Sequence, residues 1–213
     1  MEPNRAPILS LPARMGYHSP LPDSFPRFPV YMTRIVFVLL LAFSAVTVQA
    51  ASIVPSPPQL SAKAYFLVDA SSGAVLAEHN ADLPLPPASL TKMMTAYVLA
   101  AEMEAGRIAP DDMVSISRNA WSQNPIFNGS SLMWIEPGKD VSVIDLERGI
   151  VISSGNDATV AVAEHIAGTE AAFADMMNSY AESLGMIDTY YMNSHGLPAE
   201  GQVTTARDLA TLA

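Results

Sequence analysis

The stretch PPASLTKMMT, residues 86–95, decides how this chain folds, because it sets a hydroxyl and an amine three residues apart at a helix start. Pro87 has a fixed φ that suits the beginning of a helix, and apolar residues then recur at helical spacing until Gly106. The spacing predicts that Ser89 and Lys92 share one face of this helix. A serine beside a lysine whose pKa is lowered can act as a nucleophile.

A simpler interpretation of the same residues is a helix cap, in which Ser89 accepts a hydrogen bond from a first-turn N–H and Lys92 is a surface charge. The charge argues against it, because a capping box has Glu or Gln there and the helix dipole disfavours a cation by about 0.3–1 kcal/mol. At that position, among apolar neighbours, the pKa of the lysine is lowered toward the range where the amine accepts a proton. The motif alone leaves both interpretations open.

A second polar segment, SSGN at residues 153–156, separates two apolar segments that have helical spacing. A short break of this kind predicts that the side chains of Ser154 and Asn156 face outward. In the simpler interpretation, Gly155 ends one helix and Asn156 or Asp157 caps the next one. On its own this segment favours neither interpretation.

The remaining pattern predicts one antiparallel hairpin followed by helices. Residues 64–69 and 74–78 have strand character, with a turn at 71–73. Residues typical of helix starts and ends predict three further helices. The first covers 143–152 and begins after Ser142, the second covers 157–166 and ends before Gly168, and the third runs from Thr169 to Gly185. A hairpin followed by a helical mass is typical of an α+β fold whose sheet is unfinished. A last helix start at Thr205 has no stop signal before Ala213, from which we expect a longer parent protein.

The first fifty residues have the order of an export signal. Residues 32–50 begin with Met and Arg, continue with a short apolar core and end in small residues, which is typical of a signal peptide. The alternative is a membrane anchor, but the apolar run is short for a span of about 20 residues. Residues 1–31 contain seven prolines and are expected to be a disordered lead or an over-extended start. We expect a linker over 51–61 and the folded domain over 62–213.

Charge and composition exclude several classes of function. Residues 51–213 carry seven lysines and arginines against nineteen acidic residues, so a nucleic-acid partner is not expected. The chain has no cysteine, which excludes thiol nucleophiles, disulfides and thiolate metal sites. The four histidines show no His-x-x-x-His spacing, so we expect neither a metal nor another cofactor.

Two of the histidines lie in the helical part of the chain. His165 falls in an apolar-periodic helix and is expected to be a partly buried packing residue. His195 stands beside Gly196 and is expected to be a turn residue.

The motifs together resemble a known family. Residues 87–95, 124–133, 154–158 and 195–197 are similar in type and order to the low-molecular-mass penicillin-binding proteins that are serine-type D-alanyl-D-alanine carboxypeptidases. The catalytic set of such enzymes and of β-lactamases combines S-x-x-K, S-D-N and K-T-G, and the S-G-N found here points to the carboxypeptidases. The resemblance implies a β-lactamase/transpeptidase-like α+β fold, in which a helical subdomain packs on an antiparallel sheet that is incomplete in this chain.

The resemblance also implies roles for four residues. Ser89 attacks the carbonyl of the penultimate D-alanine of a peptidoglycan stem peptide, and Lys92 accepts its proton. Ser154 relays a proton to the leaving D-alanine, while Asn156 donates its amide to the substrate backbone. β-Lactams are expected to acylate Ser89 as covalent inhibitors, in the periplasm or at the outer face of the cytoplasmic membrane.

One departure from the family pattern limits this expectation. The tripeptide Lys-Thr-Gly does not occur in the sequence, so 62–213 is expected to be the N-terminal part of a truncated domain. By itself this chain is expected to be inactive or poorly folded. Any membrane association is expected only through a C-terminal region absent here. The motifs leave two alternatives open, a D,D-endopeptidase of the same superfamily and a non-catalytic peptidoglycan-binding protein.

Overall fold

A single unit of the chain contains all the secondary structure described below. The computed structural model describes residues 59–213 and, before them, only Pro29, Tyr31, Met32, Arg34 and Ile35. The chain divides into the units Met1–Ser56 and Pro57–Ala213, and every element named here belongs to the second.

The predictions for the N-terminal segments fall almost entirely outside the described residues. This applies to the lead over 1–31, the signal peptide over 32–50 and the linker over 51–61, which stay predictions. Within the part of the chain that the structure describes, no helix combines the length and the apolar character needed to cross a membrane.

Two strand pairs and five helices make up residues 59–213. In chain order they are β1 (Tyr65–Val68), β2 (Val75–His79), α1 (Thr91–Glu104), β3 (Met113–Ser115), β4 (Asp140–Ser142), α2 (Val143–Ser153), α3 (Asn156–Ala167), α4 (Glu170–Leu184) and α5 (Ala206–Leu212). Two 3-10 helices, Ala88–Leu90 and Pro125–Phe127, lie between them. The α+β prediction is confirmed, whereas the sequence pattern did not predict the short pair of β3 and β4.

Both strand pairs are antiparallel and two-stranded. In the first, Phe66 lies opposite Glu78, and the register shifts between Leu67 and Val68. In the second, Val114 lies opposite Val141. Residues 116–139 separate β3 from β4, and each strand has only three residues, so no local turn signal announces their pairing.

The helices after β4 begin and end at, or within one residue of, the positions that the sequence predicted. A side-chain oxygen accepts a first-turn N–H at three N-termini: Ser142 from Asp145, Thr169 from Ala172, and Thr205 from Asp208. Gly168 and Gly185 end α3 and α4 in the left-handed conformation that glycine adopts at no steric cost.

Two groups of buried side chains hold the helices together. The first core includes Leu99, Leu146 and Val160, and the second core includes Met94 and Phe173. α3 lies at the centre, since residues 156–163 are all buried, and it packs against α1, α2 and α4. The start of α3 is therefore fixed from three sides, directly beside the start of α1.

Candidate active site

Ser89 lies in the 3-10 turn that leads into α1. Its side chain is exposed, and neither the 3-10 helix Ala88–Leu90 nor α1 has a side-chain hydrogen bond at its N-cap. The helix-cap interpretation of Ser89 is therefore wrong. The hydroxyl is free to face the cleft beside it.

The backbone just before Ser89 is held in an uncommon conformation. Ala88 has φ 48°, a left-handed value that is rare for a residue with a side chain. Gly196, with φ 92°, packs on this turn so closely that a Cβ there would lie 1.9 Å from the Ala88 carbonyl oxygen. The turn carrying Gly196 thus supports the strained backbone that presents Ser89.

Lys92 lies one helical turn after Ser89 and is almost fully buried, with 6 % of its surface exposed. Its Nζ donates to Asn156 Oδ1 at 2.6 Å and to the His195 carbonyl oxygen at 2.7 Å, and lies 3.4 Å from Ser89 Oγ. Burial lowers the pKa of Lys92 from 10.5 to about 8. The surface-charge interpretation of Lys92 is therefore wrong.

The contacts of Lys92 determine where its lone pair points. A neutral amine has two N–H bonds, and both close partners of Nζ, an amide oxygen and a backbone carbonyl, can only accept. Cε and the two N–H bonds take three of the four tetrahedral directions of Nζ, which leaves one for the lone pair, and Ser89 Oγ at 3.4 Å is the third polar atom within hydrogen-bond distance of Nζ among residues 59–213. The contacts are therefore compatible with a neutral Lys92 that accepts the Ser89 proton.

Ser154 brings a second hydroxyl to Ser89. It ends α2 with φ 52°, again in the left-handed region, and its Oγ lies 3.2 Å from Ser89 Oγ. The break between α2 and α3 that the sequence indicated therefore aims Ser154 at the nucleophile. Backbone strain of this kind is typical of residues at functional sites.

Asn156 begins α3 and lies in the wall of the cleft. Its N–H donates to the Ser131 carbonyl at 2.9 Å, and its Oδ1 accepts from Lys92. Because an ammonium can only donate, Oδ1 must face Lys92, which leaves the Asn156 amide N–H groups without a partner among residues 59–213. The expectation of an outward-facing Asn156 is wrong, since 3 % of its surface is exposed.

Ser89 and Asn156 line a cleft of about 770 Å³, together with Pro86, Ala88 and residues of the segments 129–131 and 195–202. Lys92 and Ser154 lie next to this lining, within hydrogen-bond distance of Ser89 Oγ. The structure thus brings together all four residues singled out in the sequence, Ser89, Lys92, Ser154 and Asn156. The arrangement offers two neighbouring hydroxyls, an amine of lowered pKa and a free amide donor, a set that can support acyl transfer to a serine.

The part that His195 plays did not follow from the sequence. This residue is buried, its carbonyl binds Lys92, and its ring meets Phe127 edge to face at 6.0 Å. Burial lowers the pKa of His195, Glu170 opposes that shift, and the charge of Lys92 adds to it. By contrast His165 is exposed, so its predicted packing role is wrong.

Asp157 is a second residue whose role went unrecognised. Its buried carboxylate accepts the N–H groups of Met133 at 2.8 Å, Trp134 at 2.8 Å and Ile135 at 3.1 Å. In the sequence, an acidic residue directly after S-G-N is visible, but an acidic residue in a first helical turn predicts only that a helix begins there. The partners lie more than twenty residues away and follow from tertiary structure alone.

Fold and site together define the class of the penicillin-binding proteins. The solved structure of penicillin-binding protein 6B from Escherichia coli has a TM-score of 0.72 and 47 % identity, over 76 % of this chain and 51 % of that one. A family model described as D-alanyl-D-alanine carboxypeptidase, peptidase S11, matches residues 51–213. The chain belongs to this family.

Two curated relatives show how far the likeness extends. The D-alanyl-D-alanine carboxypeptidase DacA of Escherichia coli K12 is 49 % identical over 162 residues, which are 76 % of this chain and 40 % of the relative. A D-alanyl-D-alanine endopeptidase of the same organism is 31 % identical over 189 residues, 88 % of this chain and 58 % of the relative. The chain thus spans about 40 % of the length of the carboxypeptidase relative.

Proposed function

We propose that this chain carries the nucleophile, the base and the proton relay of a serine-type D-alanyl-D-alanine carboxypeptidase. The proposed enzyme removes the terminal D-alanine from peptidoglycan stem peptides. One observation carries the proposal: the Nζ of a buried lysine, held by two acceptors, lies 3.4 Å from the oxygen of an exposed serine. Membership of the carboxypeptidase family supports the substrate class.

The first step is attack on the substrate. Ser89 Oγ adds to the carbonyl carbon of the penultimate D-alanine, and its proton passes to the neutral amine of Lys92. The Ser89 N–H lies too early in its helix to have an intrahelical acceptor, so it can donate to the oxyanion that forms. In other enzymes one such donor contributes about 2.7–4 kcal/mol.

The second step releases the leaving group. Ser154 Oγ gives its proton to the nitrogen of the terminal D-alanine as the C–N bond breaks, and it regains a proton from Lys92. The acyl group stays on Ser89 until water hydrolyses the ester and frees the shortened peptide. A β-lactam acylates Ser89 by the same attack, with opening of its four-membered ring in place of loss of D-alanine.

Asn156 holds the substrate in register in this scheme. Its oxygen is committed to Lys92, so its free amide N–H groups are the donors left for a backbone carbonyl of the bound peptide. The reaction as written uses neither a metal nor a cofactor. Its substrate lies in the cell wall, which agrees with the proposed export of the protein by residues 32–50 and its action in the periplasm or at the outer face of the cytoplasmic membrane.

Fluorescent penicillin tests the proposal on the complete gene product. We expect covalent labelling of the unmodified protein and loss of that labelling in Ser89→Ala, because the nucleophile is removed. Ser183→Ala, which removes an exposed hydroxyl on α4, is the matched control and should label normally. Labelling that survives in Ser89→Ala contradicts the proposal, because another nucleophile is then acylated. A folded protein that does not label at all also contradicts it and favours a non-catalytic peptidoglycan-binding role.

A second assay separates the two enzymatic alternatives. The purified protein is offered a pentapeptide that ends in D-Ala-D-Ala and, separately, a cross-linked peptide dimer. Release of free D-alanine from the first, at a rate at least about tenfold higher than cleavage of the second, is the expected result. The reverse preference identifies a D,D-endopeptidase.

A further inference from the structure

Glu170, the first residue of α4, directs one carboxylate oxygen at the turn that contains His195. Its Oε1 accepts from the Ser194 N–H at 3.1 Å and from Ser194 Oγ at 2.8 Å, and it lies 3.3 Å from His195 Nε2. Ser194 is fully buried and His195 nearly so, whereas the Glu170 side chain is 28 % exposed. A single oxygen thus holds two consecutive residues of the turn.

The histidine ring is fixed in one neutral form by its two neighbours. The Leu197 N–H donates to His195 Nδ1 at 3.0 Å, so Nδ1 is an acceptor and carries no hydrogen. The ring hydrogen therefore sits on Nε2 and faces Glu170. The turn consequently places no positive charge beside Lys92, and the His195 Nε2–H lies against the Glu170 carboxylate.

The same turn forms part of the surroundings of Lys92. The His195 carbonyl accepts from Lys92 Nζ at 2.7 Å, and the Ser194 carbonyl accepts from Thr95 Oγ1 at 2.6 Å. Thr95 lies on α1, as Lys92 does, and Glu170 lies on α4, so the turn is tied to two helices. Asn178, also on α4, bonds the backbone of Tyr191 just before the turn, and Gln202 accepts the N–H groups of Met192 and Asn193. Within residues 59–213, Glu170 is the α4 side chain that contacts Ser194 and His195 themselves.

Other charged groups near Lys92 do not substitute for this anchor. Asp157, at the start of α3, directs its carboxylate to the backbone of residues 133–135. Glu200 is exposed in the wall of the cleft. Among the described ionisable groups that lie around Lys92 on neighbouring elements, Glu170 is therefore the one that acts on the position of its carbonyl acceptor.

We propose that Glu170 is a positioning residue, which holds the His195 carbonyl on Lys92 Nζ and thereby directs the Lys92 lone pair at Ser89. The inference rests on the proposed acylation of Ser89 and adds to it a residue that touches neither substrate nor nucleophile. Of the two N–H bonds of neutral Lys92, one is directed by Asn156 and the other by the carbonyl that Glu170 secures. Without that carbonyl the amine can rotate, and the lone pair no longer faces Ser89 Oγ.

A competing explanation is that Glu170 only stabilises α4, because an acidic residue in the first turn of a helix interacts favourably with the helix dipole. The two explanations differ for the neutral isostere. Glu170→Gln removes the charge but keeps an oxygen that can accept all the bonds now made by Oε1. Glu170→Ala removes both.

The experiment measures acylation of the complete gene product by a fluorescent penicillin, with the rate constant and the final labelled fraction recorded separately. We expect Glu170→Ala to be acylated about 10- to 100-fold more slowly, as for a reacting group displaced by about 1 Å, while its final labelled fraction stays full. Glu170→Gln should stay within about threefold of the unmodified protein, because its oxygen keeps the hydrogen bonds. Glu182→Gln, an exposed residue on the same helix, is the charge control and should not change the rate.

Each outcome decides between the explanations. An acylation rate of Glu170→Ala within about twofold of the unmodified protein overturns the inference, and so does a Gln variant as slow as the Ala variant. If Glu170→Ala does not fold, Ser194→Ala, which removes one of the three contacts, replaces it and must slow acylation without lowering the labelled fraction. Failure of the unmodified protein to label at Ser89 contradicts the proposed function itself, which distinguishes the two failures.

Discussion

The chemical character of the site depends on the surroundings of Lys92. A lysine in the first turn of a helix is unfavourable for the helix dipole, and burial adds a further cost to its charged form. Both effects disfavour the ammonium, and burial lowers the pKa of Lys92 to about 8. The protein thus keeps an electrostatically unfavourable arrangement at the position where the proposed mechanism requires a neutral amine.

This pKa predicts how acylation depends on pH. Only the neutral amine of Lys92 can accept the Ser89 proton, and its neutral fraction grows as the pH rises through about 8. The rate constant for penicillin acylation should therefore rise with pH and level off above about pH 9. Stopped-flow measurements on the complete gene product between about pH 5.5 and 10 test this, and a rate that is flat or falls across this range contradicts it.

At the residue scale, the sequence predicted which side chains meet in the site. It did not predict the backbone contacts that hold those side chains in place. The spacing of Ser89 and Lys92 is local and visible, and so is the break at Ser154. The carbonyl of His195 carries no side-chain signal, and its contact with Lys92 joins residues 103 positions apart. A backbone acceptor of this kind can be found only from tertiary structure.

At the scale of elements, α3 is the scaffold of the site. At its N-terminus, Asn156 bonds to Lys92 and Asp157 bonds to the loop at 133–135, so two successive side chains hold two different parts of the site. The hydrogen bonds of Asp157 fix a loop that lies directly against the end of α2, where a Cβ on Gly155 would lie 3.0 Å from the Met133 nitrogen. The position of Ser154 between these helices depends on that packing.

We expect Asp157→Asn to loosen this loop. The amide retains one acceptor oxygen but loses the charge and the second oxygen, and hydrogen bonds to charged groups contribute roughly 1.5–3 kcal/mol each. The free energy of unfolding should fall by about 2–4 kcal/mol, measured by urea denaturation of the full chain. Asp175→Asn, an exposed change on α4, is the control, and equal stability of the two variants contradicts the assigned role.

The caps show why element boundaries were predictable here. Ser142, Thr169 and Thr205 act through bonds to residues three positions on, so the information is local. The pair of β3 and β4 was missed for the opposite reason. Its strands have three residues each and are separated by residues 116–139, so no hairpin turn specifies their pairing.

At the scale of the whole unit, the two cores are joined rather than independent. Ile166, on the central helix α3, packs against both of them, and α1 contributes Leu99 to the first core and Met94 to the second. If either core is lost, α1 and α3 each lose part of the apolar surface against which they pack. The described unit should therefore unfold cooperatively.

Two core truncations test this coupling. Leu146→Ala in the first core and Phe173→Ala in the second should each lower the free energy of unfolding by about 2–5 kcal/mol, because each leaves a cavity. In both variants the transitions followed by tryptophan fluorescence and by far-UV circular dichroism should coincide. If Phe173→Ala shifts only the circular dichroism transition, the cores unfold separately and the coupling is wrong.

The distances along the chain between the site residues have a consequence for folding. Ser89 meets Ser154 across 65 positions, and Lys92 meets Asn156 across 64. Closing such loops is slow and has a high entropic cost, so these contacts form after the local helices do. Until then Lys92 is a hydrated lysine with an ordinary affinity for protons, and Ser89 is as inert as any serine in water. The proposed reactivity of this chain is therefore acquired late in folding, with the last long-range contacts.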